Sequence, residues 1–213
     1  SEKGEYYLTD LIAIAVHEGE TVTAMVATDL AEAMGINTRL QLAEAENIIR
    51  WRIRRDLMLD GTTLLDPAST YVDAGVRIGQ DTVVYPNCLI EGSTVIGEDC
   101  VVGPNSHLVN ARLGQGCRVL ASSIEDSTLA EGVTVGPFAH LRNGAHVGAG
   151  VQIGNFAEIK NSSLGPGTKM HHFSYLGDAT VGRGVNIGAG TITCNFNSET
   201  HVKSQTIIED EAA

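Results

Sequence analysis

Between Ala139 and Tyr175, a chain of net charge −12 gathers His140, Arg142, His146, Lys160, Lys169, His171, His172 and Tyr175. The 213 residues hold only four lysines, and two of them fall in this stretch. Imidazole exchanges protons near neutral pH, which suits it to act as a general base. Lysine and arginine bind phosphate or carboxylate through charge-assisted hydrogen bonds. The chemistry on offer is therefore proton abstraction beside an anion site. The competing structural reading is two long cationic side chains lying along a flat face with their heads in water.

The spacing says which of these groups share a face. Arg142 and Lys160 lie 18 apart, each one position after an aliphatic residue, Leu141 or Ile159. His172 comes two positions after Met170, so its column holds Asn155 below and Ala189 above. A histidine between an amide and a small alanine has room over its ring. His171 precedes it on an alternating strand and is expected to point the other way. His140 and His146 are one repeat apart, on different faces, so a three-histidine zinc site would need a second subunit, and no Cys or carboxylate pattern supports one.

These positions rest on a repeat. From about Tyr71 onward, aliphatic residues recur every six positions at Val72, Ile78, Val84, Ile90, Ile96 and Val102. The series resumes at Val135, Leu141, Val147, Ile153 and Ile159, then at Met170, Leu176, Val181 and Ile187, with five-residue steps at Ile159–Leu164 and Leu176–Val181. Glycine often follows, as in IGQDTV and IGAGTI. A six-residue period is the signature of a parallel β-helix, in which three hexads close one triangular coil and residues about 18 apart stack. This spacing forms left-handed coils, an exception to the right-handed crossover rule. Glycine and asparagine suit its tight corners. Six to seven coils fit, and packing of three such prisms side by side is the ordinary closed assembly.

Upstream the texture is α/β. Leu8–Gly19 reads as a helix closed by Gly19, TVTAMVAT (21–28) as a short strand, and DLAEAMG (29–35) as a short helix. RLQLAEAENIIRWRIRRDLMLDG places Leu42, Ala45, Ile49, Ile53 and Leu57 on one stripe of a helix that ends at Gly61, with its arginines on a solvated face. The division expected is 1–38 as an α/β remnant, 39–65 as a linking helix and connector, and 66–213 as the β-helix.

Composition excludes several classes. The acidic balance argues against a nucleic-acid or anionic-membrane surface, because phosphate backbones need basic stripes. No apolar run reaches the roughly 18 residues of a membrane span. Cys88, Cys100, Cys117 and Cys194 show no C-x-x-C spacing and read as reduced thiols of a cytoplasmic protein. The chain opens at SEKGEYYLTD without a methionine and stops shortly after QTII starts another hexad, which reads as a piece of a longer protein.

GPFAHLRNGA, IGNFAEIKNS, GTKMHHFSYLGDA and VNIGAGTITCNF together resemble the acetyltransferase domain of the bifunctional N-acetylglucosamine-1-phosphate uridyltransferase/glucosamine-1-phosphate acetyltransferase family. GEYYLTD, GINTRLQLAEAE and GTTLLDP resemble the end of its uridyltransferase domain and the linking helix. The resemblance implies a cytoplasmic homotrimer that moves acetyl from acetyl-CoA to the amine of glucosamine 1-phosphate, on the route to UDP-N-acetylglucosamine. It implies His172 as the catalytic base, Arg142, Lys160, Tyr175 and Asn186 as sugar-phosphate contacts, and Ala189, Asn195 and Phe196 at the acetyl-CoA site. It implies Asn37 as a contact to the Mg²⁺ of the uridyltransferase, most of which is not in this sequence. The chain departs from the family's Asn-Tyr-Asp-Gly at Asn195-Phe196-Asn197-Ser198. A non-catalytic trimerising repeat module and a zinc-dependent carbonic-anhydrase-like protein are the other readings.

Overall fold

The structure, a computed structural model, describes residues 7–213, so Gly4, Glu5 and Tyr6 of the GEYYLTD match lie outside the described residues. The chain divides into two compact units between Glu46 and Asn47.

In the first unit, α1 (Asp10–His17) ends as its glycine predicts. Gly19 takes φ +80°, and the Glu20 N–H returns to the Ala15 carbonyl at 2.9 Å. Leu30–Ala33 is a single 3₁₀ turn, capped by the Asp29 carboxylate accepting from Ala31 N–H at 2.9 Å. The strand expected over 21–28 is not formed. Its alternation needs a neighbouring strand for the backbone and a core for one face, yet Val22, Met25 and Val26 are all exposed.

The helix α2 (Arg39–Leu59) starts with a capping box. Thr38 Oγ1 accepts from Gln41 N–H at 3.2 Å, and Gln41 Oε1 accepts from the N–H groups of Asn37 (2.7 Å) and Thr38 (3.0 Å). Only the later part of its apolar stripe is used: Ile53, Leu57 and Met58 pack on the core, while Leu42 and Ile49 stay exposed. The arginine face departs from expectation at Arg54, which is buried. Its Nη1 donates to the carbonyls of Pro67 (2.5 Å) and Thr70 (3.2 Å), closing the connection into the first coil. A charged side chain stays buried there because two backbone carbonyls of a tight loop need a donor. Arg50 lies over the Tyr71 ring, 4.1 Å from its centroid.

From Thr63 to Ile208 the chain is a left-handed parallel β-helix with three sheets of eight, seven and eight strands. Face 1 runs from Thr63–Leu64 to Asn186–Ile187, face 2 from Tyr71–Val72 to Ser174–Gly177, and face 3 from Arg77–Ile78 to Thr206–Ile208. Every aliphatic named by the six-residue series is buried. The gap between Val102 and Val135 is filled by Leu108, Leu113, Val119, Ile124 and Leu129, also buried. Each is the large inward side chain of its strand, and burying one is worth roughly 1.5–3 kcal/mol. The coil length varies as five-residue sides are used: Val84 pairs Val102, Val102 pairs Val119, and Val119 pairs Val135.

Corners carry the strain. The corner between faces 2 and 3 places Asn110, Asp126, Asn143, Asn161 and Asp178 at φ of 50°, 45°, 55°, 46° and 49°. Asparagine and aspartate tolerate this left-handed backbone better than other non-glycine residues. After Ile187 the regular winding is interrupted by an excursion, held at Phe196↔Lys203 by an antiparallel bridge, before Thr206–Ile208 rejoins face 3 beside Ala179–Val181. No helix among the described residues is long and apolar enough to cross a membrane.

Candidate functional site

The wall of the site is face 2. Its strands His140–Arg142, Ala157–Lys160 and Ser174–Gly177 put two side-chain columns on the outer surface. One column stacks His140, Glu158 and Tyr175; the other stacks Arg142, Lys160 and Gly177. Arg142 and Lys160 are thus direct neighbours on successive coils, as their spacing of 18 predicts.

The stack is not two bare cations. Glu158 Oε1 accepts from Arg142 Nε at 2.9 Å and Nη2 at 2.7 Å, offsetting one positive charge and fixing the plane of the guanidinium. Glu158 escaped the sequence reading, although its position two residues before Lys160 on an alternating strand puts it on the same outer surface. Arg142 and Glu158 side chains keep only 29% and 36% of their accessible surface, so the pair is partly shielded from water.

Above Lys160 the column carries no side chain of its own, because its next member is Gly177. A Cβ added there would collide with Tyr175 Oη and would lie 2.7 Å from Asn195 Nδ2. The tyrosine hydroxyl and the asparagine amide therefore meet over the glycine, one coil above the lysine. Gly177 is a glycine for space, as it is not among the positive-φ residues. Asn195 is buried, and its backbone carbonyl accepts from Ser204 N–H at 2.9 Å.

His172 stands exposed at the corner between faces 1 and 2. The registers Gln152↔Lys169↔Asn186 carry Asn155 below it and Ala189 above it, the column expected. His171 turns to face 1, where its Nε2 lies 3.0 Å from Gln152 Oε1, and the two imidazoles are edge-on with centroids 6.4 Å apart. The structure thus brings Arg142, Lys160, Tyr175 and Asn195 together on face 2. It places His172 and Ala189 at the corner beside that face, Asn186 on face 1 above Lys169, and Phe196 in the excursion, with its ring tilted against His201 at 6.0 Å.

The same corner holds a surface the hexad pattern does not announce. Phe138 and Phe156 take φ of 60° and 56°, stack with centroids 5.5 Å apart, and are about 60% exposed (59% and 61%). Phe173 follows one coil higher, 62% exposed. Bulky residues in the left-handed region are uncommon and cluster at functional surfaces.

His140 sits on face 2 with its Nε2 3.1 Å from Glu125 Oε1, and His146 sits on face 3. Among the described residues no group of three or more His, Cys, Asp or Glu side chains is placed to hold a metal ion. Among the described residues no carboxylate cluster joins Asn37, and one amide side chain by itself does not make a magnesium site. No step is therefore derived through that ion.

Residues 75–110 and 126–161 match the family model described as bacterial transferase hexapeptide (six repeats). Among curated relatives, the bifunctional protein GlmU of Pelobacter propionicus is 50% identical over 209 residues, 98% of this chain and 45% of that protein. The bifunctional protein GlmU of Geobacillus sp. (strain WCH70) is 49% identical over 210 residues, covering 99% of this chain and 45% of its own length. That of Shouchella clausii is 47% identical over 210 residues, 99% of this chain and 46% of that protein. The chain spans about half the length of the curated relatives it matches, and the match runs through both the coils that form the wall and the excursion above it. This chain belongs to the GlmU family.

Proposed function

We propose that the chain transfers an acetyl group from acetyl-CoA to the amine of glucosamine 1-phosphate. The observation that carries this reading is the ordered wall on face 2: Arg142 and Lys160 in register, with the Tyr175 hydroxyl and the Asn195 amide meeting one coil above them. A sugar phosphate laid along that wall puts its phosphate against Lys160 and the Glu158-oriented Arg142, and its hydroxyls toward Tyr175. Asn186 extends the sugar contacts along face 1, and Ala189, Asn195 and Phe196 line the acetyl-CoA side.

His172 at the adjoining corner takes a proton from the amine, which must be neutral to attack the thioester carbonyl. The nitrogen lone pair forms the N–C bond, the C–S bond breaks, and coenzyme A leaves as a thiol once its sulfur takes up the proton that the new amide nitrogen gives up. A positioned base is worth roughly 10²–10⁴-fold. The working species is a homotrimer in the cytoplasm, where four free thiols, including the exposed Cys194, stay reduced.

The test is release of free thiol on mixing the chain with both substrates, with sedimentation establishing the assembled species. His172→Ala is expected to lower turnover by about 10²–10⁴-fold while circular dichroism and sedimentation stay unchanged. Turnover within two-fold of the parent would remove His172 as the base. A parent chain that releases no thiol overturns the acetyl-transfer reading in favour of a non-catalytic module.

A further inference from the structure

The corner between faces 2 and 3 repeats one device on two levels, and the upper level does something extra. In the lower rung, Asn110 Nδ2 donates to Asp126 Oδ1 at 3.0 Å, and Asp126 is exposed. In the upper rung, Asn161 Nδ2 donates to Asp178 Oδ1 at 2.5 Å. Here the second oxygen is also used: Asn195 Nδ2 donates to Asp178 Oδ2 at 2.6 Å, and Lys203 Nζ approaches the same oxygen at 3.9 Å. The Asp178 carbonyl also accepts from Thr206 N–H at 3.2 Å, where the chain rejoins face 3. One carboxylate thus touches the departing limb of the 194–205 excursion at Asn195 and the returning limb at Lys203.

Around it the excursion is sewn to the same strand. Gly177 N–H donates to Thr193 Oγ1 at 2.7 Å, immediately before the carboxylate, and Tyr175 pairs with Ile192. Asp178 retains 12% of its side-chain surface. The Asn161 hydrogen bond, then that of Asn195 and the charges of Lys203 and Lys160, outweigh its partial burial and hold its carboxyl below the usual carboxylate range. It is ionised at neutral pH, so both amide bonds to it are charge-assisted.

We propose that Asp178 is the positioning residue for acetyl-CoA: it clasps the two limbs of the 194–205 excursion and sets Asn195 and Phe196 against the wall of Lys160 and Tyr175. This rests on the reading above that Asn195 and Phe196 face the acetyl donor. The rung to Asn161 anchors the clasp to the coil below, so the cofactor side and the sugar-phosphate side share one carboxylate. Asp178 touches neither substrate; it acts through Asn195.

The experiment compares the full chain with Asp178→Asn and, as control, Asp126→Asn, which alters the same kind of rung where nothing is clasped. Asparagine keeps the size but replaces one acceptor oxygen with an amino group, so one of the two amide donors loses its partner. Hydrogen–deuterium exchange across 194–205 is expected to quicken at least ten-fold in Asp178→Asn, with face 2 strands unchanged. KM for acetyl-CoA is expected to rise about ten-fold, with KM for glucosamine 1-phosphate and kcat within about two-fold. Asp126→Asn is expected to change neither measurement by more than two-fold. Exchange is read whether or not the chain turns over, so an unaltered excursion in Asp178→Asn overturns the clasp even if acetyl transfer fails on its own assay. The positioning role is overturned if the excursion loosens without a change in acetyl-CoA KM, if both KM values move together, or if acetyl-CoA leaves the exchange of 194–205 in the parent chain unaltered.

Discussion

The corner between faces 1 and 2 is turned by different residues along the prism, with Ala121 at φ 42° between two contrasting sets. In the early coils it is turned by Asn87 and Asn105 at φ of 61° and 58°, residues that adopt this backbone at little cost. In the later coils the same turn is made by Phe138 and Phe156 at nearly the same angles, with rings stacked and mostly outside. The backbone requirement is the same, so the difference lies in the surface that the corner presents. Face 2 shows the same division. Glu91 meets His107 at 2.5 Å in the early coils and Glu125 meets His140 at 3.1 Å where the two sets of coils join, whereas the later coils add Arg142, Lys160 and the side-chain-free Gly177. Both regions pair carboxylates with basic groups, and the later coils in addition present Lys160 and Tyr175 beside His172.

The comparison breaks first at the core, where the two halves should behave alike. Ile124→Ala and Ile159→Ala each remove a fully buried side chain, and each is expected to cost about 2–5 kcal/mol in denaturant unfolding. A large loss at one and almost none at the other would mean that the halves differ inside as well as outside. At the corner the halves should diverge. Asn105→Phe puts an aromatic on a left-handed backbone and should destabilise by about 1–2 kcal/mol. Phe156→Asn relieves that cost but gives up a stacked pair worth about 0.5–1.5 kcal/mol, leaving a net change of no more than about 1.5 kcal/mol. Equal losses in the two thermal melts would contradict a surface role for the phenylalanines.

The smallest effect lies at the Glu125–His140 pair, where the two sets of coils join. Partial burial raises the Glu125 carboxyl, but the Ser123 hydrogen bond and the His140 and His107 imidazoles outweigh it and hold it below its ordinary range. A depressed carboxylate adds stability above its unfolded pKa of about 4.3 and loses it as pH falls through the folded value. With both partners 41% exposed, solvent screening limits Glu125→Gln to under about 1 kcal/mol at pH 7, and the difference from the parent should vanish in acid. A loss that persists below pH 3 would assign the effect to packing.

The sequence made most of the prism legible because each hexad carries one large inward aliphatic, although a second position two residues earlier is also buried, as at Cys88, Cys100, Val133, Val151 and Val185. Counting aliphatics therefore named the buried residues, and a spacing of 18 stacked Arg142 on Lys160. It also separated His172 from His171, since alternation sends neighbours to different faces. It misjudged 21–28, where alternation alone cannot supply a partner strand, and Arg54, whose burial depends on two carbonyls brought from Pro67 and Thr70. Glu158 lies in the same strand as Lys160, but its grip on Arg142 spans 16 residues between coils and follows from neither the alternation nor the spacing of 18.

What the sequence determined by itself is the solenoid, its inward column and the order of its faces, since these follow from a local period repeated along the chain. What only the tertiary structure decided is how side chains meet between coils and across the excursion. The grip of Glu158 on Arg142, the meeting of Tyr175 and Asn195 over Gly177, and the clasp of Asp178 on both limbs of the excursion are such meetings. They depend on coil lengths that shift between neighbouring turns and on a chain segment that leaves the repeat and returns. No period encodes either, because each is a distance between parts that the repeat brings near without pairing them.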